Sequence, residues 1–152
     1  MTPYSLGDLA GDAEQLAIEH AGLASQIAAG SGPVDPPCVI LSGGETTVDV
    51  RGSGRGGRNG EYALSLAIAL NGHPAISALA CDTDGIDETG DNAGCFVTAD
   101  TLSRAGLKGV NPRAALQNND SYRFFASVGD LISTGPTLTN VNDFRAILVE
   151  EQ

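Results

Sequence analysis

A glycine-rich segment, Gly52–Asn59, constrains the fold of this chain more than any other feature. The chain holds 20 glycines in 152 residues, about 13% against a usual share of about 7%. The segment follows a stretch that alternates polar and apolar residues, and it precedes a stretch rich in Ala and Leu. The order therefore predicts a strand, a tight glycine turn and a helix, with main chain that can approach a ligand closely.

The glycine spacing leaves two interpretations open. Gly52, Gly54 and Gly57 satisfy the G-x-G-x-x-G pattern, and Asp82 ends the next predicted strand, which together resemble a dinucleotide-binding fingerprint. However, the preceding strand is too polar for a central parallel strand. Arg55 and Arg58 also favour direct ion pairs with a bound anion. A mobile surface loop is the structural alternative.

Helical and strand patterns alternate along the rest of the chain. An amphipathic helix is expected over Ser5–Ala29, followed by a linker rich in Pro and Gly, so that residues 1–37 form a leader and 38–152 the domain. We expect strands over 38–41 and 46–51, which can pair as a hairpin, and over 75–81, 95–98 and 143–149. Helices are expected over 60–70 with an Asn59 cap, after an Asp100 cap, over 112–118, and from a Ser121 cap to Val128. The predicted fold class is α/β, a mixed β-sheet packed with helices and preceded by one N-terminal helix.

The charge of the chain excludes some partners. Eight Lys and Arg against 19 Asp and Glu give a net charge of −11, which repels phosphate backbones and anionic lipid surfaces. We therefore expect neither a nucleic acid nor a membrane as partner. The sequence shows no signal-peptide pattern and no apolar run long enough to span a bilayer. Three widely spaced cysteines suit a reducing compartment, and a cytoplasmic location is expected.

Clustered acids form a second candidate site at Asp82–Asp87. Carboxylates this close repel one another, so they indicate a bound cation or a site for hydroxyl groups. The spacing excludes an EF-hand, because the twelfth position from Asp82 is Ala93. A turn in which Asp and Gly supply only backbone geometry is the alternative.

Two polar segments, 118–122 and 134–143, combine hydroxyl and amide side chains with Gly and Pro. They can bind a polyol or a phosphate through fixed hydrogen bonds, or they can simply cap helices. His20 and His73 stand apart from other metal-ligating or nucleophilic residues. The sequence therefore gives no support to a zinc site or a Ser-His-Asp triad.

Taken together, these segments resemble the MOFRL domain of the glycerate 2-kinases. The matching motifs occur in order and extend from about Cys38 to Val149: Leu41–Val48, Gly54–Asn59, Asp82–Asp87, Asn119–Tyr122, Gly129–Ile132 and Thr134–Asp143. The resemblance implies phosphorylation of D-glycerate, a small sugar acid, at its 2-hydroxyl with ATP and Mg²⁺. It also implies a larger N-terminal kinase domain as partner, with the active site in the cleft between the two.

The resemblance also implies the site residues. Arg58, Asp82 and Asp84 are the expected catalytic residues, and the two aspartates are the expected Mg²⁺ ligands. Arg55 and Arg58 would neutralise phosphate or carboxylate oxygens, and the loop glycines would present N–H groups. Binding of substrate or phosphate is expected of Glu45, Gly54, Arg55, Gly56, Gly57, Asn59, Asn119, Ser121, Asn140 and Asn142. This interpretation requires Arg58 to lie near Asp82.

Two positions depart from the family pattern. Gly60 stands where the family usually has glutamine, and Leu138 stands where it usually has glycine. Leucine is unfavourable if that turn needs a positive φ.

The alternatives to a kinase domain are a nicotinamide-dependent hydroxypyruvate reductase, a name that many relatives carry, and a regulatory domain without catalytic activity.

Overall fold

A computed structural model describes residues 1–88 and 90–152. Eight strands and five helices follow one another in these ranges: β1 Thr2–Asp8, β2 Gly11–Asp12, α1 Ala13–Ala28, β3 Cys38–Gly44, β4 Thr46–Thr47, α2 Arg58–Leu70, β5 Ile76–Asp82, β6 Gly94–Val97, α3 Thr101–Leu107, α4 Pro112–Gln117, α5 Ser121–Val128, β7 Leu131–Ile132 and β8 Asp143–Val149. The predicted fold class, a mixed sheet packed with helices, is confirmed.

The main sheet has the strand order β1-β3-β8-β5-β6-β7. β1 and β3 run parallel, and all other neighbours are antiparallel. β2 and β4 form a separate parallel pair. Alternate residues of β3, β5 and β8 are buried, as expected when one face of a sheet is covered by helices. α1 and α2 pack on each other and contribute much of that core.

The start of the chain differs from the prediction. The helix expected from Ser5 begins only at Ala13, where the Asp12 side chain caps it by accepting from the Gln15 amide at 2.9 Å. Residues 2–8 instead form β1, which pairs with β3 inside the main sheet. The apolar residues before Ala13 suit a helix in isolation, but pairing with β3 satisfies their backbone as a strand.

The strands expected over 38–41 and 46–51 do not pair as the hairpin that the sequence allowed. β3 pairs with β1 and β8, and β4 pairs with β2. The strand expected to reach Arg51 ends at Thr47, because the Asn119 side chain bonds the main chain of Asp49 and Arg51 and holds it as a loop. A side chain far along the chain therefore decides where β4 stops.

Most other elements lie close to their predicted positions, although the caps differ. α2 begins at Arg58 after Gly57, so Asn59 lies inside the helix and is not its cap. Asp100 precedes α3 without a side-chain capping bond. Ser121 is the first residue of α5, and Asp120 takes the cap position. In the described residues, no helix is both long enough and apolar enough to cross a membrane.

Candidate functional site

Arg58, the first residue of α2, lies against two carboxylates at the ends of neighbouring strands. Its Nε donates to Oδ2 of Asp143 at 2.8 Å, and its Nη2 donates to Oδ2 of Asp82 at 2.8 Å. Nη1 lies 3.5 Å from Oε1 of Glu45, whose side chain is 61% exposed. The structure therefore brings Arg58 and Asp82 together as required, and it adds Asp143 as a partner.

This cluster keeps Arg58 charged. The hydrogen bond that Arg58 donates to the Asp143 carboxylate is the main reason that the pKa of Arg58 rises further above its ordinary value. Burial raises the pKa of Asp82, and the neighbouring Asp84 carboxylate adds to that rise. The partly buried Arg58 cation thus stands among several acids, an arrangement that functional sites share with structural ion-pair networks.

The glycine loop is clamped to the segment that precedes α5. The Gly54 amide donates to the Asn118 carbonyl at 2.8 Å, and the Arg55 amide donates to Oδ1 of Asp120 at 2.9 Å. In return, the Tyr122 amide donates to the Arg55 carbonyl at 2.9 Å. The loop is therefore held in place. The Gly54 N–H, which was expected to face a phosphate, donates to the Asn118 carbonyl instead.

Asn119 is the central side chain of this clamp. Its Oδ1 accepts from the amides of Arg51 at 2.6 Å and Gly52 at 2.8 Å. Its Nδ2 donates to the Asp49 carbonyl at 3.1 Å and to Oε2 of Glu61 at 3.0 Å. The amide thus positions the loop, and both of its N–H hydrogens are used within the protein.

Arg55 lies at the rim of the loop. Its guanidinium carbon stacks 3.7 Å above the centre of the Tyr122 ring, and its Nη2 lies 3.6 Å from Oδ1 of Asp91. The Tyr122 hydroxyl donates to the same Asp91 oxygen at 2.8 Å. Cation–π stacking favours one orientation of the side chain, although about half of it is exposed and accessible to a ligand.

A cleft of about 450 Å³ lies beside these groups. Five residues predicted for the site line it: Gly54, Arg55, Gly56, Arg58 and Asn119. The remaining wall consists of Thr46, Val48, Val50, Gly52 and Glu88. The volume falls in the range of ordinary small-molecule sites.

Asp82 and Asp84 fold into the tight turn that the sequence allowed as an alternative. Oδ1 of Asp82 accepts from the Asp84 amide at 3.1 Å, and Oδ1 of Asp84 accepts from the Ile86 amide at 2.8 Å. In the described residues, no cluster of three or more His, Cys, Asp or Glu side chains could hold a metal ion. The two adjacent carboxylates nevertheless fit Mg²⁺, which takes one or two carboxylates and completes its shell with phosphate and water.

Asn140 and Asn142 lie in an exposed loop beside the acidic turn. The Asn142 carbonyl, and not its side chain, accepts from the Thr83 amide at 3.0 Å and the Thr83 hydroxyl at 2.7 Å. Oδ1 of Asn140 accepts from the Asn142 amide at 3.0 Å. These asparagines therefore shape the loop, and neither lines the cleft around Arg58.

Asp87, the last residue of the acidic segment, has a structural role that the sequence did not predict. It is 2% exposed, and its carboxylate accepts from the amides of Asn59 at 3.1 Å and Gly60 at 2.9 Å. It therefore occupies the N-terminus of α2, where a dinucleotide site would bind the pyrophosphate. With Asp82 paired to Arg58 as well, the geometry opposes the dinucleotide interpretation.

Close packing around Gly57 and Gly60 explains one departure from the family pattern. A side chain at Gly57 would collide with the Asp87 carboxylate, and one at Gly60 would collide with the buried Ser121 hydroxyl. Ser121 is 1% exposed. Gly57 and Ser121 therefore serve packing in this structure, and glutamine at position 60 would need a shift of α5.

Asp143, Arg145 and Glu61 were also missed as members of the cluster. The alternation of β8 places Asp143 and Arg145 on the same face as Ile147 and Val149, and a charged pair on a buried face signals a polar network. Glu61 is 3% exposed. Burial raises its pKa to about 7, while Arg51 and the hydrogen bond from Asn119 oppose that rise.

Known proteins resemble this chain in sequence. A protein of Agrobacterium vitis, provisionally named a hydroxypyruvate reductase, is 50% identical over 98% of this chain and 40% of its own length. The D-glycerate 2-kinase of Thermotoga maritima is 46% identical over 73% of this chain and 27% of its own. This chain therefore spans well under half the length of these relatives.

Solved structures extend the likeness to the fold. The crystal structure of a glycerate kinase from Thermotoga maritima matches with a TM-score of 0.93 at 37% identity, over 97% of this chain and 36% of that one. The sequence model of the MOFRL family matches residues 38–143 of this chain. On these grounds, the chain belongs to the MOFRL family.

Proposed function

We propose that this chain forms one wall of the active site of an ATP-dependent D-glycerate 2-kinase. The observation that carries the proposal is the Arg58 guanidinium, held by Asp82 and Asp143 at the edge of a cleft under the glycine loop. The names of the relatives support phosphoryl transfer as the reaction class. A transferred phosphoryl group needs positioning and charge neutralisation more than covalent help from the protein.

Different residues of the cleft would bind different anionic groups of the substrates. Among the residues that the structure describes, the exposed Glu45 is the one ion-pair partner of Arg58 Nη1, which can therefore turn its N–H groups to an anionic oxygen of the substrate. Arg55 lies on the same wall and can pair with a second anion, either a phosphate or the glycerate carboxylate. In the described residues, the Gly56 amide takes part in no hydrogen bond, so it remains available to a phosphate.

ATP and Mg²⁺ belong to the proposal as co-substrate and metal. When bound, the ion neutralises charge on the phosphate oxygens. Asp82 and Asp84 would hold it through hard carboxylate oxygens, and Asp82 would at the same time keep Arg58 in place. As the alternative to holding the metal, Asp82 or Asp84 would accept the proton of the substrate hydroxyl.

The second wall would come from an N-terminal kinase domain, on the same chain or a separate one. The chain covers 36% of the Thermotoga maritima glycerate kinase that it matches, and the rest of such an enzyme is large enough to close the cleft. In isolation we expect little or no glycerate kinase activity, because half of the catalytic groups would be absent.

The test is complementation. We would mix the chain with the N-terminal region of the Thermotoga maritima D-glycerate 2-kinase, up to the start of the matched segment, and measure ADP formation with D-glycerate. The expected result is turnover only in the mixture. Arg58→Ala should reduce turnover by about 10³-fold or more, as the loss of an arginine finger does. Arg113→Ala is the matched control, because Arg113 lies exposed on α4.

Other outcomes would contradict the proposal. Equal turnover with Arg58→Ala would remove Arg58 from catalysis. Tight binding of NADH without binding of ATP, measured by equilibrium titration, would favour a hydroxypyruvate reductase. Absence of turnover in a mixture that forms a stable complex would favour a regulatory domain without catalytic activity.

A further inference from the structure

Asp143 is the most enclosed carboxylate of the cluster. Its side chain is 0% exposed, and both of its oxygens are bonded. Oδ2 lies 2.8 Å and Oδ1 3.1 Å from Nε of Arg58. Oδ1 also accepts from Nδ2 of Asn59 at 3.0 Å. Contact from two consecutive residues of α2 makes this carboxylate the link between the sheet and the start of that helix.

The strand register explains why Arg58 is needed there. Asp143 on β8 is paired directly with Asp82 on β5 and with Gly44 on β3. Like charges opposite each other on neighbouring strands destabilise a sheet. The guanidinium bridges the two carboxylates through Nε and Nη2, and because the group is planar, fixing these two donor atoms defines its orientation.

A second cation, Arg145, lies near Asp143 and is fully buried. Arg145 is 1% exposed, and its Nη1 lies 3.6 Å from Oδ2 of Asp143. Its Nε donates to the Ser42 hydroxyl at 3.0 Å, and its Nη2 donates to the Gly43 carbonyl. The guanidinium also lies 5.5 Å from the centre of the Tyr62 ring. Arg145 thus gives the Asp143 carboxylate a second cationic neighbour besides Arg58.

We propose that Asp143 is a positioning residue that acts through Arg58. By holding Nε, Asp143 leaves Nη1 facing the cleft. There the exposed Glu45 is its partner, and a substrate anion can replace Glu45. Asp143 makes no contact with substrate in this account. The proposal rests on the function proposed above, because it assigns Asp143 to the arginine that neutralises the substrate anion.

The kinetic test uses the complemented enzyme. Asp143→Asn should lower kcat by about 100-fold, the effect of a catalytic group misplaced by about 1 Å, with a smaller change in KM. Asp35→Asn, an exposed aspartate in the segment before β3, is the matched control and should keep the wild-type kcat. Asp143→Glu, which keeps the charge, should recover part of the loss.

A double-mutant cycle separates positioning from general damage. Lysine has a single ammonium group in place of two fixed donor nitrogens. Arg58→Lys therefore already breaks the bridge between Asp143 and Asp82. Asp143→Asn lowers kcat by a certain factor in the wild type, and in the Arg58→Lys background this factor should be at least 10-fold smaller. Equal losses in both backgrounds would mean that Asp143 acts on the fold alone, and the proposal would fail.

A measurement on the chain alone keeps the proposal testable without turnover. In an NMR exchange experiment, the Nε–H of Arg58 should exchange at least 100-fold more slowly than that of the exposed Arg113. Equal exchange rates would overturn the proposal even if Asp143→Asn did not fold. Lack of wild-type turnover on mixing would count against the proposed function, while the exchange rates would still decide whether Asp143 holds Arg58.

Discussion

Leu138 adopts a backbone conformation that suits glycine. Its φ is 62° and its side chain is 97% exposed, so no packing compensates for the strain. We predict that Leu138→Gly raises the free energy of unfolding by about 1 kcal/mol, because the left-handed region costs an L-residue about 1–2 kcal/mol. Chemical denaturation would measure it.

Gly135 is the matched control for Leu138, in the same loop. Its φ is 69°, and a Cβ there would meet no atom within 4 Å. Gly135→Ala should therefore lower the free energy of unfolding by a similar amount, through backbone strain alone. A stabilised Gly135→Ala variant, or a destabilised Leu138→Gly variant, would contradict this explanation.

Glu61 should make stability depend on pH. Burial raises its pKa from 4.5 to about 7, with help from Glu14 and Asp12 and against the effects of Arg51 and Asn119. The folded protein binds this proton more tightly than the unfolded chain. The stabilising contribution of Glu61 is therefore complete below about pH 4.5 and is lost as the pH rises to about 7.

Glu61→Gln provides the reference, since it keeps the shape and cannot ionise. The wild type should lose stability relative to this variant between about pH 4.5 and 7, by up to about 1.4 kcal/mol per pH unit. Urea denaturation at several pH values would measure the difference. A difference that stays constant, or that grows in favour of the wild type, would show that Glu61 is ionised in the folded state.

Single residues also show what the sequence could reveal about the site. The site implied by the family resemblance requires Arg58 to lie near Asp82, and the structure brings them within 2.8 Å. Asp143 was missed because its proximity depends on the pairing of β8 with β5. A strand pattern identifies the buried face, but it does not state which strand lies alongside.

Among the elements, the glycine loop depends on close backbone approach. A Cβ on Gly54 would lie 2.6 Å from the Asn118 carbonyl oxygen and would also collide with Asp120. Gly54→Ala should therefore separate the loop from the segment before α5 and lower the free energy of unfolding by about 1–3 kcal/mol. Faster hydrogen exchange at the amides of Gly54 and Arg55 would locate the damage.

Gly22 in α1 gives the opposite expectation for the same substitution. A Cβ there would meet no atom within 4 Å, and alanine favours a helix over glycine by about 0.5–1 kcal/mol. Gly22→Ala should therefore stabilise the protein. If both alanine variants had the same effect, close approach at Gly54 would not be the reason for its glycine.

The elements with strong patterns were predictable, and the weak ones were not. α2, β5 and β8 follow from composition and periodicity within one or two residues of the predicted bounds. β1 contains Pro3 and Gly7, which argue against a strand, but it is the edge strand of the sheet, where proline is tolerated. The two-residue strands β2 and β7 carry no signal of their own.

At the scale of the whole molecule, residues 1–37 belong to the same sheet and core as the rest. β1 pairs with β3, while Leu16 and Ile27 of α1 are buried. Full burial of two such side chains contributes about 3–6 kcal/mol, a large part of the stability of a small domain.

We therefore predict that the fragment 38–152, which the sequence suggested as the domain, lacks the cooperative thermal unfolding of the full chain. Circular dichroism during heating would test this. A sharp transition in the fragment near that of the full chain would show that residues 1–37 are dispensable, and it would restore the predicted division.

The identity of the product tests the central claim most directly. ³¹P NMR would follow D-glycerate and ATP·Mg²⁺ incubated with the chain and an N-terminal kinase domain together. We predict that 2-phosphoglycerate accumulates in the mixture, that neither component forms it alone, and that Arg58→Ala abolishes it. A mixture that leaves D-glycerate unphosphorylated, or that forms the product equally well with Arg58→Ala, would contradict the account.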